Sequence, residues 1–83
     1  MTSNSSNTKN LSNIAGRRVR QAREACNMDQ CDLAATLSVE YGIHLSQSDI
    51  SEIERQKRGI RDYELDAISK ALNVTLDWLL RGI

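Results

Sequence analysis

The chain has 83 residues, room for one small domain, and its 11 Lys and Arg balance 11 Asp and Glu, so the formal net charge is zero. That balance excludes a global electrostatic pull toward nucleic acid, so any such binding must use local patches. Without proline or phenylalanine, and with aromatics at 4%, the composition favours an all-α core of Leu, Ile, Val and Ala, with Trp78 as the one large filler.

Other classes are excluded by what is missing. Cys26 and Cys31 have no second pair and no histidine at ligand spacing, so the sequence supports neither a zinc site nor a disulfide framework. They read as two reduced cytosolic thiols, with a redox-sensing Cys31 near a helix N-terminus as the alternative. No Ser/His/Asp, metal or phosphate-loop constellation is present, so the chain is read as no enzyme, with no cofactor and no metal. No apolar run approaches the roughly 18 residues of a membrane span, and a soluble, cytoplasmic protein is expected.

In chain order, residues 1–12 are rich in Ser, Asn and Thr and read as a disordered arm. An arm reaching along a DNA groove is the alternative, although Lys9 is its only basic side chain. The folded domain is expected over 13–83. Ala15, Val19, Ala22 and Cys26 recur at helical spacing, which predicts a helix over 14–26 with Asn27 as a left-handed terminator. Arg17, Arg18, Arg20 and Arg23 make that helix basic. Asp29 is expected to cap a second helix over 30–41, with a stripe of Leu33, Leu37 and Tyr41 flanked by Ala34, ending at Gly42. His44 falls in the following link, as a solvated loop residue or a phosphate contact.

The third helix, over 47–55, is the informative one. Ser46 is a good N-cap with Asp49 as capping-box partner. At about 100° per residue, Gln47, Ser48, Ser51, Glu52 and Arg55 share one arc, while Ile50 and Ile53 point the other way. A basic turn with Lys57, Arg58 and Arg61 follows, punctuated by Gly59. Asp62 is expected to cap a helix over 63–72 with Leu65, Ile68 and Leu72 as its stripe, Asp62 and Glu64 being helix-start charges. Thr75 caps a last short helix that buries some of Leu76, Trp78, Leu79 and Leu80, and Gly82 ends it. Five short helices result.

From about Leu11 to Ile83 the chain resembles the phage repressor, Cro and Xre-type helix-turn-helix family. The resemblance is carried by IleAlaGlyArgArgValArgGlnAlaArg from Ile14, by Gln30 followed by AspLeuAla, by SerGlnSerAspIleSerGluIleGlu from Ser46, by LysArg, by GluLeu, and by AsnValThrLeuAspTrpLeuLeuArgGly from Asn73. It implies a compact five-helix repressor-like domain that binds double-stranded DNA with the helix from Gln47 as recognition helix. Base reading then falls to Gln47, Ser48 and Glu52, with Ser51 and Arg55 on the same arc. Phosphate contacts fall to Gln30, Ser46, Lys57, Arg58 and Arg61, with Arg18 and Arg20 presented from the side. The resemblance also implies an ion pair between Arg23 and Glu54, and a homodimer on a palindromic operator, paired through Leu76, Leu79, Leu80 and Ile83. A protein-interaction module on the same fold, binding for instance a toxin, is the rival reading. The acidic Asp32, Asp49 and Glu52 around the reading face are its support.

Overall fold

The computed structural model describes residues 11–83, and most of the expected N-terminal arm lies outside the described residues. Five helices follow one another: α1 (Gly16–Ala25), α2 (Gln30–Tyr41), α3 (Gln47–Glu54), α4 (Asp62–Leu72) and α5 (Leu76–Arg81). α3 packs against both α1 and α2, α2 also rests on α4, and α5 closes the bundle against α4 and α1. α3 is thus held from behind by two other helices, and its polar face stays exposed.

The core is the aliphatic one the composition requires. Val19, Leu33, Leu37, Ile50, Ile53, Ile68 and Leu79 are fully buried, and Ala15, Ala22, Leu45, Ala67 and Leu72 complete the cluster. Trp78 does not fill the centre as expected; it is half-buried and packs on the outside of this cluster. The expected stripe of α1 is also corrected at its last position. Cys26 is exposed, its Sγ 3.7 Å from the Leu72 carbonyl oxygen, and the inward position on that turn belongs to the buried Arg23.

Local chemistry sets the helix ends. Asp29 and Ser46 each accept the backbone N–H three residues on, from Asp32 and Asp49, whose side chains reach back to the cap backbone. Two orphan donors at each N-terminus are thereby satisfied. Gly42 closes α2 at φ 66°, and Asn27 and Asn73 take the left-handed turns after α1 and α4. The turn between α2 and α3 runs over 42–46, because α2 continues to Tyr41.

Two boundaries differ from the periodicity. α1 begins at Gly16 rather than at 14; ahead of it Asn13 Oδ1 accepts the Gly16 N–H at 2.6 Å while its Nδ2 donates to the carbonyls of Ile53 and Arg58. Ile14, outside the helix, is 54% exposed. α4 begins one residue early, capped at Arg61 rather than at Asp62, since the buried Glu64 carboxylate accepts the Arg61 N–H at 2.9 Å. The Asp62 carboxylate instead accepts the N–H of Tyr63.

Gly16 has a specific reason to be glycine. A Cβ there would sit inside the contact radius of the Ile53 backbone carbonyl oxygen, and close to the Asn13 and Gln56 side chains. Helix propensity alone favours Gly→Ala by about 0.5–1 kcal/mol, but a backbone-to-backbone overlap cannot relax by rotamer change. Gly16→Ala is therefore expected to destabilise the fold by about 1–3 kcal/mol, read as a lower midpoint in urea unfolding.

Candidate nucleic-acid interface

The outer face of α3 is built by its inner one. Ile50 and Ile53 are fully buried, which turns Gln47, Ser48, Glu52 and Arg55 outward to solvent, with Ser51 half-buried between them. Arg55 lies just past the last helical turn, and its Nε donates to Ser51 Oγ at 3.3 Å. Asp49 is partly drawn into the cap: the backbone N–H of Ser46, then its hydroxyl, hold the Asp49 carboxyl below the ordinary carboxylate range.

Behind this face runs a chain of polar contacts. Arg23 and Glu54, both nearly inaccessible, meet in a two-pronged pair: Nε donates to Oε2 at 2.7 Å and Nη2 to Oε1 at 2.9 Å. The hydrogen bond to Glu54 pushes the Arg23 pKa up, against its burial. Glu54 Oε1 also accepts from Gln30 Nε2 at 3.1 Å, and Gln30 Oε1 accepts from Gln47 Nε2 at 2.6 Å. Gln47, the first residue of α3, is therefore connected through Gln30 of α2 to a charge pair in the protein interior.

A helix-turn-helix family model matches residues 19–79. Among solved structures the chain is similar to the P22 c2 repressor protein in complex with synthetic operator 9T in the presence of Tl+, with a TM-score of 0.71 and 30% identity over 84% of this chain and 97% of that one. The chain belongs to the helix-turn-helix family of phage repressors and Xre-type regulators. No curated protein sequence matches it. The family is one of DNA-binding regulators.

Within that frame the structure separates the basic residues. Lys57 and Arg61 are exposed, and neither enters an ion pair within the described residues. Ser46 is exposed, with its hydroxyl occupied by the Asp49 N–H. Arg58, expected as a phosphate contact, is held by the protein itself and stays partly exposed. Its guanidinium is committed to Glu64, at 3.0 and 3.1 Å, and to the Gly59 carbonyl at 2.8 Å, because the basic turn folds it back onto the start of α4. Arg18 is likewise redirected: its Nη1 donates to the Leu79 carbonyl at 3.3 Å, where a cation complements the C-terminal end of α5. Arg20 is exposed and paired with Glu24 one turn on, a contact worth little in water. His44 is exposed, with Nδ1 3.2 Å from Ser38 Oγ.

At the other end of the molecule, Leu79 is fully buried within its own chain, so it belongs to the core and not to the expected pairing surface. Leu76 and Ile83 are 40% and 78% exposed, and Leu80 is half-buried in a groove it shares with Leu11, Ile14, Ile60 and Leu65.

Two polar residues that hold the site, Asn13 and Gln56, are not singled out from sequence, and a third, Glu64, is read there only as a helix-start charge. Asn13 was legible, since an asparagine just before a helical pattern is cap chemistry. Gln56 was not: it takes a left-handed φ of 63° and donates from Nε2 to the Asn13 carbonyl, a conformation glutamine does not advertise. Glu64 looked like an ordinary helix-start charge until the turn brought Arg58 to it.

The Arg58 hydrogen bond, then the Arg61 backbone N–H, hold the Glu64 carboxyl below its ordinary value. A lowered folded-state pKa means the unfolded chain binds the proton first. The contribution is present above the unfolded value of about 4.3 and is lost as pH falls through the lower folded one. Glu64→Gln is accordingly expected to be less stable than the parent at neutral pH, with the gap closing as the pH falls below about 4.3. Thermal unfolding of both proteins across that range checks it.

Proposed function

We propose that the protein is a sequence-specific, double-stranded DNA-binding transcriptional regulator that lays α3 in the major groove. The observation that carries this reading is the arc of exposed polar side chains on α3, fixed by two fully buried isoleucines and a capped N-terminus. A helix fits the B-DNA major groove, and the first turn of such a helix reaches the base edges. Gln47 is suited to adenine, Glu52 to the cytosine amino group, and Arg55 to guanine, while Ser48 and Ser51 serve either polarity. Gln30, Ser46, Lys57 and Arg61 flank this face as backbone contacts. The solved repressor of similar structure, held in a complex with a synthetic operator, supports the same reading.

One domain of this size reads only a few base pairs, so the protein acts as a homodimer on a palindromic operator, with half-sites about one helical turn apart. The exposed Leu76 and Ile83, and the apolar groove of Leu11, Ile14, Ile60, Leu65 and Leu80, support an apolar contact between two copies. The protein works in the cytoplasm.

Two substitutions separate reading from holding. Gln47→Ala is expected to cost about 1–3 kcal/mol on the preferred site and to relax base choice at one position, whereas Lys57→Ala weakens all sequences alike and lowers the salt slope by about one. Selection from a random duplex pool, followed by binding titrations at several salt concentrations, measures both. DNA affinity untouched by either change, together with loss of a protein partner, would move the assignment to an interaction module.

A further inference from the structure

We infer that Glu64 is a positioning residue that withholds Arg58 from the DNA backbone and so lowers the affinity of the protein for every duplex alike. The inference rests on the proposed DNA-binding function, and it follows from how the three cations of the turn after α3 are placed. Lys57 and Arg61 are exposed, and neither side chain meets a carboxylate within the described residues. Arg58, between them in sequence, is answered by the protein instead. Its Nη1 donates to Glu64 Oε1 at 3.0 Å and to the Gly59 carbonyl at 2.8 Å, and its Nη2 donates to Glu64 Oε2 at 3.1 Å.

Two features keep the guanidinium there. Glu64 is buried, and its Oε2 has no partner besides Arg58 among the described residues. Were Arg58 to swing out to a phosphate, that oxygen would lie unpaired in the protein interior, a loss that one solvent-exposed contact does not offset. The second feature is charge. The hydrogen bond to Glu64 raises the Arg58 pKa against its partial burial, and the charges of Glu64, Asp49 and Glu52 raise it further. A phosphate that approached the Nε–H and the remaining Nη2–H, the donors left unused, would meet these three carboxylates around one cation.

Counterion release makes the consequence measurable, because each phosphate neutralised by a free cation steepens the dependence of log K on log salt by about 0.9. Held by Glu64, Arg58 adds nothing to that slope, while Lys57 and Arg61 each contribute. The sequence-independent part of the affinity is thereby kept down. The contacts of α3 then carry a larger share of the binding against the many competing sites of a genome.

The test measures binding of the full chain to a selected operator and to an unrelated duplex, over a salt range of about 50 to 200 mM. Glu64→Gln keeps the size of the side chain, removes its charge and leaves Arg58 an amide that accepts at only one atom. It should bind both duplexes more tightly, by about eightfold near 0.1 M salt, with a slope steeper by about 0.9, so that the gain shrinks about 3.5-fold across the range. Arg58→Met with Glu64→Met removes both charges together. That protein should stay within about twofold of the parent in affinity, with the slope unchanged. A merely structural role for Glu64 would move the unfolding midpoint and not the slope. A Glu64→Gln protein that binds no more tightly, or a double variant whose slope falls by about 0.9, overturns the inference and leaves the proposed function standing. If one variant does not fold, the other decides alone. A parent that retains no duplex in the selection overturns the proposed function and the inference with it.

Discussion

Taking a guanidinium and a carboxylate out of water costs several kcal/mol per ion, and a domain of this size has little stability in reserve. The Arg23–Glu54 pair exists only because its geometry answers nearly every polar atom. Arg23 donates two bonds to Glu54 and a third, at 2.7 Å, to the Met28 carbonyl in the turn after α1. Among the described residues no buried side-chain polar atom is left without a partner. One side chain thus joins α1, the α1–α2 turn and α3. An apolar pair of similar volume would also pack, but it would tolerate sliding. Directed bonds fix the tilt and register of α3 against α1.

The far end of α3 is held by a different set of contacts. Gln56 takes a left-handed turn just beyond the helix, its carbonyl accepts the Ser12 N–H at 3.1 Å, and Asn13 bonds the Ile53 and Arg58 carbonyls. Gly16 lets the start of α1 come close enough for those bonds to form. Next in the chain, Arg58 and Glu64 tie the basic turn to α4. A short helix is marginal by itself, and α3 has 8 residues. Its order comes from being pinned at both ends and along one side, which suits the proposed role of offering fixed side chains to a groove.

Periodicity and cap chemistry made much of this legible. The buried isoleucines, the Asp29 and Ser46 caps and the Gly42 terminator are local features, and local features are written in spacing and residue type. What holds the start of α1 in place was not, because Asn13 is tied to the Ile53 carbonyl, some 40 residues away in sequence. The fates of Arg18 and Arg58 were hidden for the same reason. A basic side chain in a sequence carries no record of whether a carbonyl or a carboxylate from another element will meet it, and both of these did. Leu79 was misplaced because a stripe on a short terminal helix shows which residues are apolar, but not which of them the neighbouring helices already cover. The Arg23–Glu54 pair came from family resemblance, and its link to Gln47 became visible only with coordinates.

The orientation of α3 depends on that pair acting as a coupled unit, and the most direct measurement is a double-mutant cycle on unfolding free energy with Arg23→Ala, Glu54→Ala and both together. Each single change strands a buried charge and is predicted to cost about 3–5 kcal/mol. The double change should cost much less than the sum, giving a coupling energy near the upper end of the roughly 0.5–3 kcal/mol found for residues in contact. Additive losses, with coupling near zero, would mean that the two side chains act independently and that α3 is oriented by its isoleucines alone.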